Sequence, residues 1–176
     1  IMLSLVIAAI AGIINGYIVA YIGVAAMLVT LGTTTLFEGI SLNLTKGGSI
    51  SGFPIIFSYI TVKNILGIPV PFIIYIIFIL LSYLILHKSA FGTKIYMIGC
   101  NETATEFSGI NTKKIILMTY IYSAILSAVS GIIMMSRYNS AKVDFGSSYV
   151  MQSITAVILG GVSISGGNGN IFGTVI

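Results

Sequence analysis

No Asp, Glu, Lys, Arg or His occurs between Ile1 and Phe37, and that run constrains the fold more than any motif does. As one α-helix it would reach about 55 Å at about 1.5 Å per residue, whereas the hydrocarbon core of a bilayer is about 30 Å thick. The run must hold one span and begin another. Composition agrees: 57% of the 176 residues are hydrophobic and 7% are charged, far from the usage of soluble domains. The formal charge of +4 comes from basic residues scattered through loops, so it reads as a topology signal rather than as a nucleic-acid footprint.

A first helix is expected over about residues 1–22, a break near Tyr21–Val24, and a second helix from about Met27 to Leu44. Pro71–His87 is a third span, with Pro69 and Pro71 suited to a first helical turn that needs no intrahelical N–H bond. Ile115–Ser136 is a fourth. From Phe145 to Ile176 the chain is again uncharged, but Gly160-Gly161 and Gly166-Gly167-Asn168-Gly169 argue for a fifth helix, a glycine-rich break and a truncated sixth. Apolar runs of 17 or more residues without alternation do not fit the roughly 10-residue strands of an outer-membrane barrel. The expected class is therefore an all-α membrane protein: a polytopic helical bundle of about five to six spans, broken by glycines near its C-terminus. Residues 1–176 read as a single transmembrane domain, incomplete at both ends because the chain starts and stops inside apolar runs.

The segment between Lys88 and Lys114 carries Lys88, Lys94, Lys113 and Lys114, against Lys46 and Lys63 in the preceding loop and Arg137 and Lys142 in the following one. The positive-inside rule places 88–114 in the cytoplasm of a cell-membrane protein and the other two loops outside.

Several chemistries are missing. There is no G-x-x-x-x-G-K-[ST] phosphate cradle, no H-E-x-x-H, and no serine with a plausible histidine partner, so ATPase, metalloprotease and serine-hydrolase readings fall. One cysteine, Cys100, and one histidine, His87, allow neither an intrachain disulfide nor a multi-ligand metal site from these residues. The run Gly167-Asn-Gly-Asn-Ile-Phe-Gly173 has the wrong spacing for a dinucleotide fingerprint.

Small residues mark helix seams: Gly12 with Gly16, and Ser123, Ser127 and Gly131 at four-residue spacing, patterns that let helix backbones approach closely in lipid. Such seams either shift during transport or simply pack. Glu38 is the acidic residue placed inside or near a span; it belongs to a permeation path or lies at the outer interface beside Lys46. Asn15 and the threonines at 30, 33, 34 and 35 are uncharged path candidates, although threonine hydroxyls commonly bond back to their own helix.

Against this background, IGCNETATEFSGINTKK (98–114) is anomalous, holding four of the twelve Lys, Arg, Asp and Glu residues. Thr103-Ala-Thr-Glu106 fits a capping box, Asn101 offers an alternative cap with Glu102 in the first turn, and Gly109 suits a left-handed stop. A helix of about 102–108 results, presenting Ala104 and Phe107 on one side with Ile110 just after. Two turns are marginal in water, so it must rest on its own spans or on a soluble partner.

FGTKIYMIGCNETATEFSGINTKKI strongly resembles the cytoplasmic loop of permease subunits of bacterial ABC importers for ribose and other simple sugars. The resemblance extends upstream through NGYIVAYIGVAAMLVTLGTTTLFEGISLNLT, GFP and ILGIPVP, and downstream through SGIIMMSRYNSA and AVILGGVSISGGNGNIFGT, covering essentially the whole chain in the family's order. It implies a permease that pairs with a second permease chain, receives solute from an external solute-binding protein, and is driven by an ATP-binding subunit that itself binds ATP and Mg. It also implies that Gly99, Asn101, Glu102, Ala104, Glu106, Phe107, Gly109 and Ile110 form the ATPase-coupling element, with no cofactor in this chain. Asn15, Thr30 and Glu38 remain the path candidates. Two departures bear on solute: the family usually has arginine at Glu38, and acidic residues near Val150 and Gln152. Autoinducer and nucleoside importers therefore stay open beside ribose, while branched-chain amino acid permeases, whose loop lacks the G-x-N-E pattern, stand further away. The competing readings are an ion-gradient-driven transporter using Glu38 and the glycine break, and a structural membrane component.

Overall fold

The computed structural model describes residues 1–54, 57, 61, 64, 65, 67–163 and 166–175. Lys63, used in the charge comparison, and Ile164 and Ser165 of the glycine-rich stretch lie outside the described residues. The chain divides into two compact units, Ile1–Ile73 with Ile116–Phe145, and Ile74–Ile115 with Gly146–Ile176.

In the first unit, α1 (Met2–Tyr17) runs on as a π-helical turn over Ile18–Ile22 and stops at Gly23, whose φ of +80° a side chain would strain. The expected break at Tyr21–Val24 falls there. Helix α2 follows over Ala26–Thr45. Helix α6 (Thr112–Tyr138), most of which belongs to this unit, packs against α1 through glycine. A Cβ on Gly12 would stand 2.8 Å from Ala124 Cβ and 2.9 Å from the Tyr120 carbonyl oxygen, and one on Gly16 would meet Leu117 and Tyr120 at 3.0 Å. Absence of side chains at both positions is what lets the two backbones close.

The loops of this unit are tied together at one end. Strand β1 (Ile50–Ser51) pairs antiparallel with β4 (Ser140–Ala141), Ile50 opposite Ala141 and Ser51 opposite Ser140. Just before β4, buried Ser136 donates to the Phe57 carbonyl at 2.8 Å and accepts from the Thr61 hydroxyl at 2.6 Å. Between them, β2 (Asn64–Ile65) and β3 (Ile68–Pro69) form a tight hairpin turning at Gly67, φ +83°.

The second unit holds most of α3 (Val70–Lys88), then α4 (Ala90–Cys100), α5 (Glu102–Phe107), the first turn of α6, α7 (Ser147–Leu159) and α8 (Ile171–Val175). Helix α4 differs from the sequence expectation, which left 88–101 as loop. It starts because the Ser89 hydroxyl accepts from Gly92 N at 3.2 Å, and because Gly92 has no side chain to overlap the Leu86 backbone. Two glycines in eleven residues hide such a helix from propensity reasoning.

Among the described residues, three helical stretches, Met2–Ile22, Val70–Lys88 and Thr112–Tyr138, are long and apolar enough to cross a membrane. Helix α2 is as long but diluted by Glu38, four threonines at 30 and 33–35, and Asn43; α7, with 13 residues, reaches only about 20 Å. Among the described residues the buried apolar side chains are Ala20, Val29 and Ile115, while long stretches of Ile, Leu, Met, Phe and Tyr on every spanning helix are exposed. That distribution inverts a water-soluble fold and suits a chain whose solvent is lipid or other protein.

Candidate functional site

Helix α5 is built from both ends by its own sequence. Asn101 is extended and its side-chain oxygen accepts from Ala104 N at 2.9 Å, satisfying one of the unpaired N–H groups of the first turn. The capping box over Thr103–Glu106 is therefore not the one used; Asn101, two residues earlier, takes the cap. Thr105 donates its hydroxyl to the Asn101 carbonyl at 2.8 Å, and Glu102 stands in the first turn where a carboxylate complements the helix dipole. At the other end Gly109 has φ +80°, Gly109 N bonds the Glu106 carbonyl at 2.9 Å and Ile110 N bonds the Thr105 carbonyl at 3.4 Å. These two bonds form the Schellman pattern that closes a helix with a left-handed glycine.

Burial then decides which face is free. Thr105 is only 3% exposed, whereas Phe107 is 88% exposed and Glu102, Ala104 and Glu106 are exposed with it. The sequence placed Ala104 and Phe107 on the side that rests on something; within this chain it is Thr105 that faces inward. Bonding of its hydroxyl to the helix's own carbonyl removes the penalty of burying it. Within this chain the Phe107 ring is left uncovered on the face of α5 that also carries exposed Glu102 and Glu106.

Asn101 belongs to two helices at once: its N–H bonds the Met97 carbonyl at 3.0 Å in the last turn of α4, while its side chain caps α5. Gly99, two residues back, lies against the glycine-rich break. A Cβ on Gly99 would stand 2.5 Å from Gly167 N, and the Tyr96 hydroxyl donates to the Gly169 carbonyl at 3.2 Å. Tyr96 and the Gly99–Gly167 contact were not foreseen from sequence; the small residue at 99 was the only trace of them.

The path candidates lie in the first unit and are not gathered into one site. Asn15 Oδ1 is buried with no hydrogen-bond partner among the described residues. Thr30 donates to the Ala26 and Met27 carbonyls at 3.0 and 3.2 Å, Thr33 to Val29 at 3.0 Å, Thr34 to Thr30 at 2.7 Å and Thr35 to Gly32 at 2.9 Å. Their hydroxyls are thus occupied by their own helix. Glu38 is exposed, and among the described residues it forms no ion pair with Lys46; Lys142 instead pairs with Asp144 at 2.9 Å. Ser123 and Ser127 are exposed, and a Cβ on Gly131 would meet nothing within 4 Å, because α6 turns Leu117, Tyr120, Ile121 and Ala124 toward α1 instead. Val150 and Gln152 are exposed on α7, where every residue from Ser147 to Leu159 is uncovered. Among the described residues, no group of His, Cys, Asp and Glu could hold a metal ion.

Residues 1–176 match the family described as "Branched-chain amino acid transport system / permease component". Similar curated proteins include the "Autoinducer 2 import system permease protein LsrD" of Yersinia enterocolitica, 35% identical over 180 residues, covering 99% of this chain and 54% of that protein. The protein of the same name from Escherichia coli is 37% identical over 182 residues, covering 100% of this chain and 55% of its own length. The chain thus spans about half the length of the curated relatives it matches. No solved structure matches.

Proposed function

Because the chain belongs to the branched-chain amino acid transport system / permease component family, as a membrane transport component and not an enzyme, we propose that it lines part of the import path of an ABC transporter and is driven through α5 by a separate ATP-binding subunit. The observation that carries this reading is the state of α5: capped at both ends, inward through Thr105, and outward through exposed Phe107, Glu102 and Glu106. A helix of six residues is marginal alone in water, and its caps together with its outward aromatic and acidic side chains support reading it as a docking element. The site set is Gly99, Asn101, Glu102, Ala104, Glu106, Phe107, Gly109 and Ile110. ATP and Mg belong to the partner subunit.

The remaining partners in this reading are a second permease chain, an external solute-binding protein and the lipid bilayer, with five to six spans per segment and 88–114 on the cytoplasmic side. Asn15, whose buried side-chain oxygen has no hydrogen-bond partner among the described residues, is the strongest path candidate; self-satisfied Thr30 and exposed Glu38 are weaker. The solute is sugar-like, and the names of the relatives make autoinducer 2 the first compound to test.

The test is association. The full-length permease should retain its ATP-binding subunit through affinity purification, and the double substitution Glu102→Lys and Glu106→Lys should abolish that retention. Unchanged retention would remove α5 from the interface.

A further inference from the structure

The second unit brings the capped helix and the glycine-rich break into backbone contact. Gly99 and Cys100 end α4 immediately before the shared cap Asn101. On them lie Gly166 and Gly167, both left-handed at φ +86° and +79°. A Cβ on Gly99 would stand 2.5 Å from Gly167 N and 3.1 Å from its Cα, and one on Gly167 would stand 3.0 Å from Cys100 Sγ. With no side chain between the two backbones, nothing compressible separates them. The Tyr96 hydroxyl adds a hydrogen bond to the Gly169 carbonyl, and Cys100 Sγ lies 3.8 Å from the Gly167 carbonyl.

The described residues of the break bond to one another. Ser163 N bonds the Asn168 carbonyl at 3.0 Å and Gly166 N bonds the Ser163 carbonyl at 3.1 Å. Its two ends are pinned together by a second side-chain-free contact, in which a Cβ on Gly160 would stand 2.5 Å from Thr174 Cα. Phe172, in α8, packs against Tyr83 of α3 with ring centroids 5.3 Å apart and the planes tilted by 55°. Movement of α5 therefore has a short mechanical route: through Asn101 to the end of α4, and from Gly99 and Tyr96 directly to the break between α7 and α8. Packed contacts of this kind pass displacement as rigid bodies, not as continuous deformation.

We propose that Tyr96 and the Gly99–Gly167 contact are a positioning joint that makes residues 166–169 of the glycine-rich break move as one body with the docking helix. Residues 166–169 are then the first part of the break to respond to the ATP-binding subunit. This rests on the docking reading above.

The experiment uses the full-length permease assembled with its ATP-binding subunit, with Cys100→Ser and a reporter thiol at Asn168→Cys in the break. Maleimide labelling of the reporter is compared between the nucleotide-free complex and the complex trapped with ATP and vanadate. The two rates are expected to differ, and Tyr96→Phe is expected to shrink that difference about fivefold, the scale of one lost hydrogen bond, while the subunits remain associated. Equal rates in the two nucleotide states with the subunit bound, or an undiminished difference in Tyr96→Phe, would overturn the joint. Loss of the subunit from the unmodified complex would instead remove the docking reading on which it rests.

Discussion

Two residues carry opposite burdens in α5. Asn101 supports the fold of the helix and Phe107 supports nothing within the chain, so their substitutions separate stability from docking. Asn101→Ala removes the bond to Ala104 N and costs the helix about 1 kcal/mol. Retention of the ATP-binding subunit should fall several-fold and recover in Asn101→Asp, whose carboxylate accepts the same bond; a deficit that persists in Asn101→Asp would mean that the side chain contacts the partner directly. Phe107, at 88% exposure, can be cut to Ala without a cavity. Thermal unfolding of Phe107→Ala in detergent should match that of the parent, while affinity for the subunit drops by about 2 kcal/mol or more if the ring is an interface anchor. A lowered unfolding temperature with intact affinity would assign the ring to the permease's own fold.

At the scale of elements, seams are decided by which face a helix turns, not by which residues are small. Gly12→Val should destabilise the α1–α6 pair, because any Cβ there collides with Ala124 and the Tyr120 carbonyl, and overpacking of this kind costs about 1–3 kcal/mol. Gly131→Val, on the same α6, meets no neighbour within 4 Å and should leave the unfolding temperature of the chain where it was. Equal shifts for both would mean that the seam is not built on Gly12. Both glycines were visible in the sequence as small-residue patterns, and nothing in the spacing separated them, since a stripe states only that close approach is possible. The same limit explains the other gaps. Hydrophobic runs and glycine breaks located α1, α2, α3, α6 and the turn near Gly23 to within a few residues, because lipid solvation is read one segment at a time. Helix α4 was missed because its cap is a side-chain bond from Ser89 across a glycine turn. The Asn101 cap is local, a bond to Ala104 N three residues on, and was offered by the sequence beside the capping box; contact of Gly99 with Gly167 joins residues 68 positions apart, which local pattern does not encode.

For the whole molecule, sidedness is a prediction in which strand pairing and charge point the same way. Ile50–Ser51 and Ser140–Ala141 are hydrogen-bonded neighbours within the first unit, so the two loops that carry them are expected on one side of a membrane. If α3 and α6, both long and apolar enough to cross, do cross, the chain between them is expected on the other. Lysine bias would make that other side the cytoplasm. Whether α2 also crosses is independent of this parity and sets the span count, because its threonines and Glu38 dilute its apolar character. Single cysteines placed in a Cys100→Ser background at Val24, Lys46, Lys94 and Lys142 decide both questions with an impermeant thiol reagent on intact cells. Lys46→Cys and Lys142→Cys should label from outside, and Lys94→Cys only after permeabilisation. Lys46 and Lys142 on different sides would contradict the strand pairing, and Lys94 labelled from outside would place α5 where no ATP-binding subunit can reach it. Val24→Cys should behave like Lys94→Cys, because the left-handed stop at Gly23 and the twenty residues of α2 that follow provide about 30 Å of helix, enough for a crossing. If Val24→Cys labels together with Lys46→Cys, then α2 lies within one side of the membrane, and the bundle has one span fewer than its apolar runs predict.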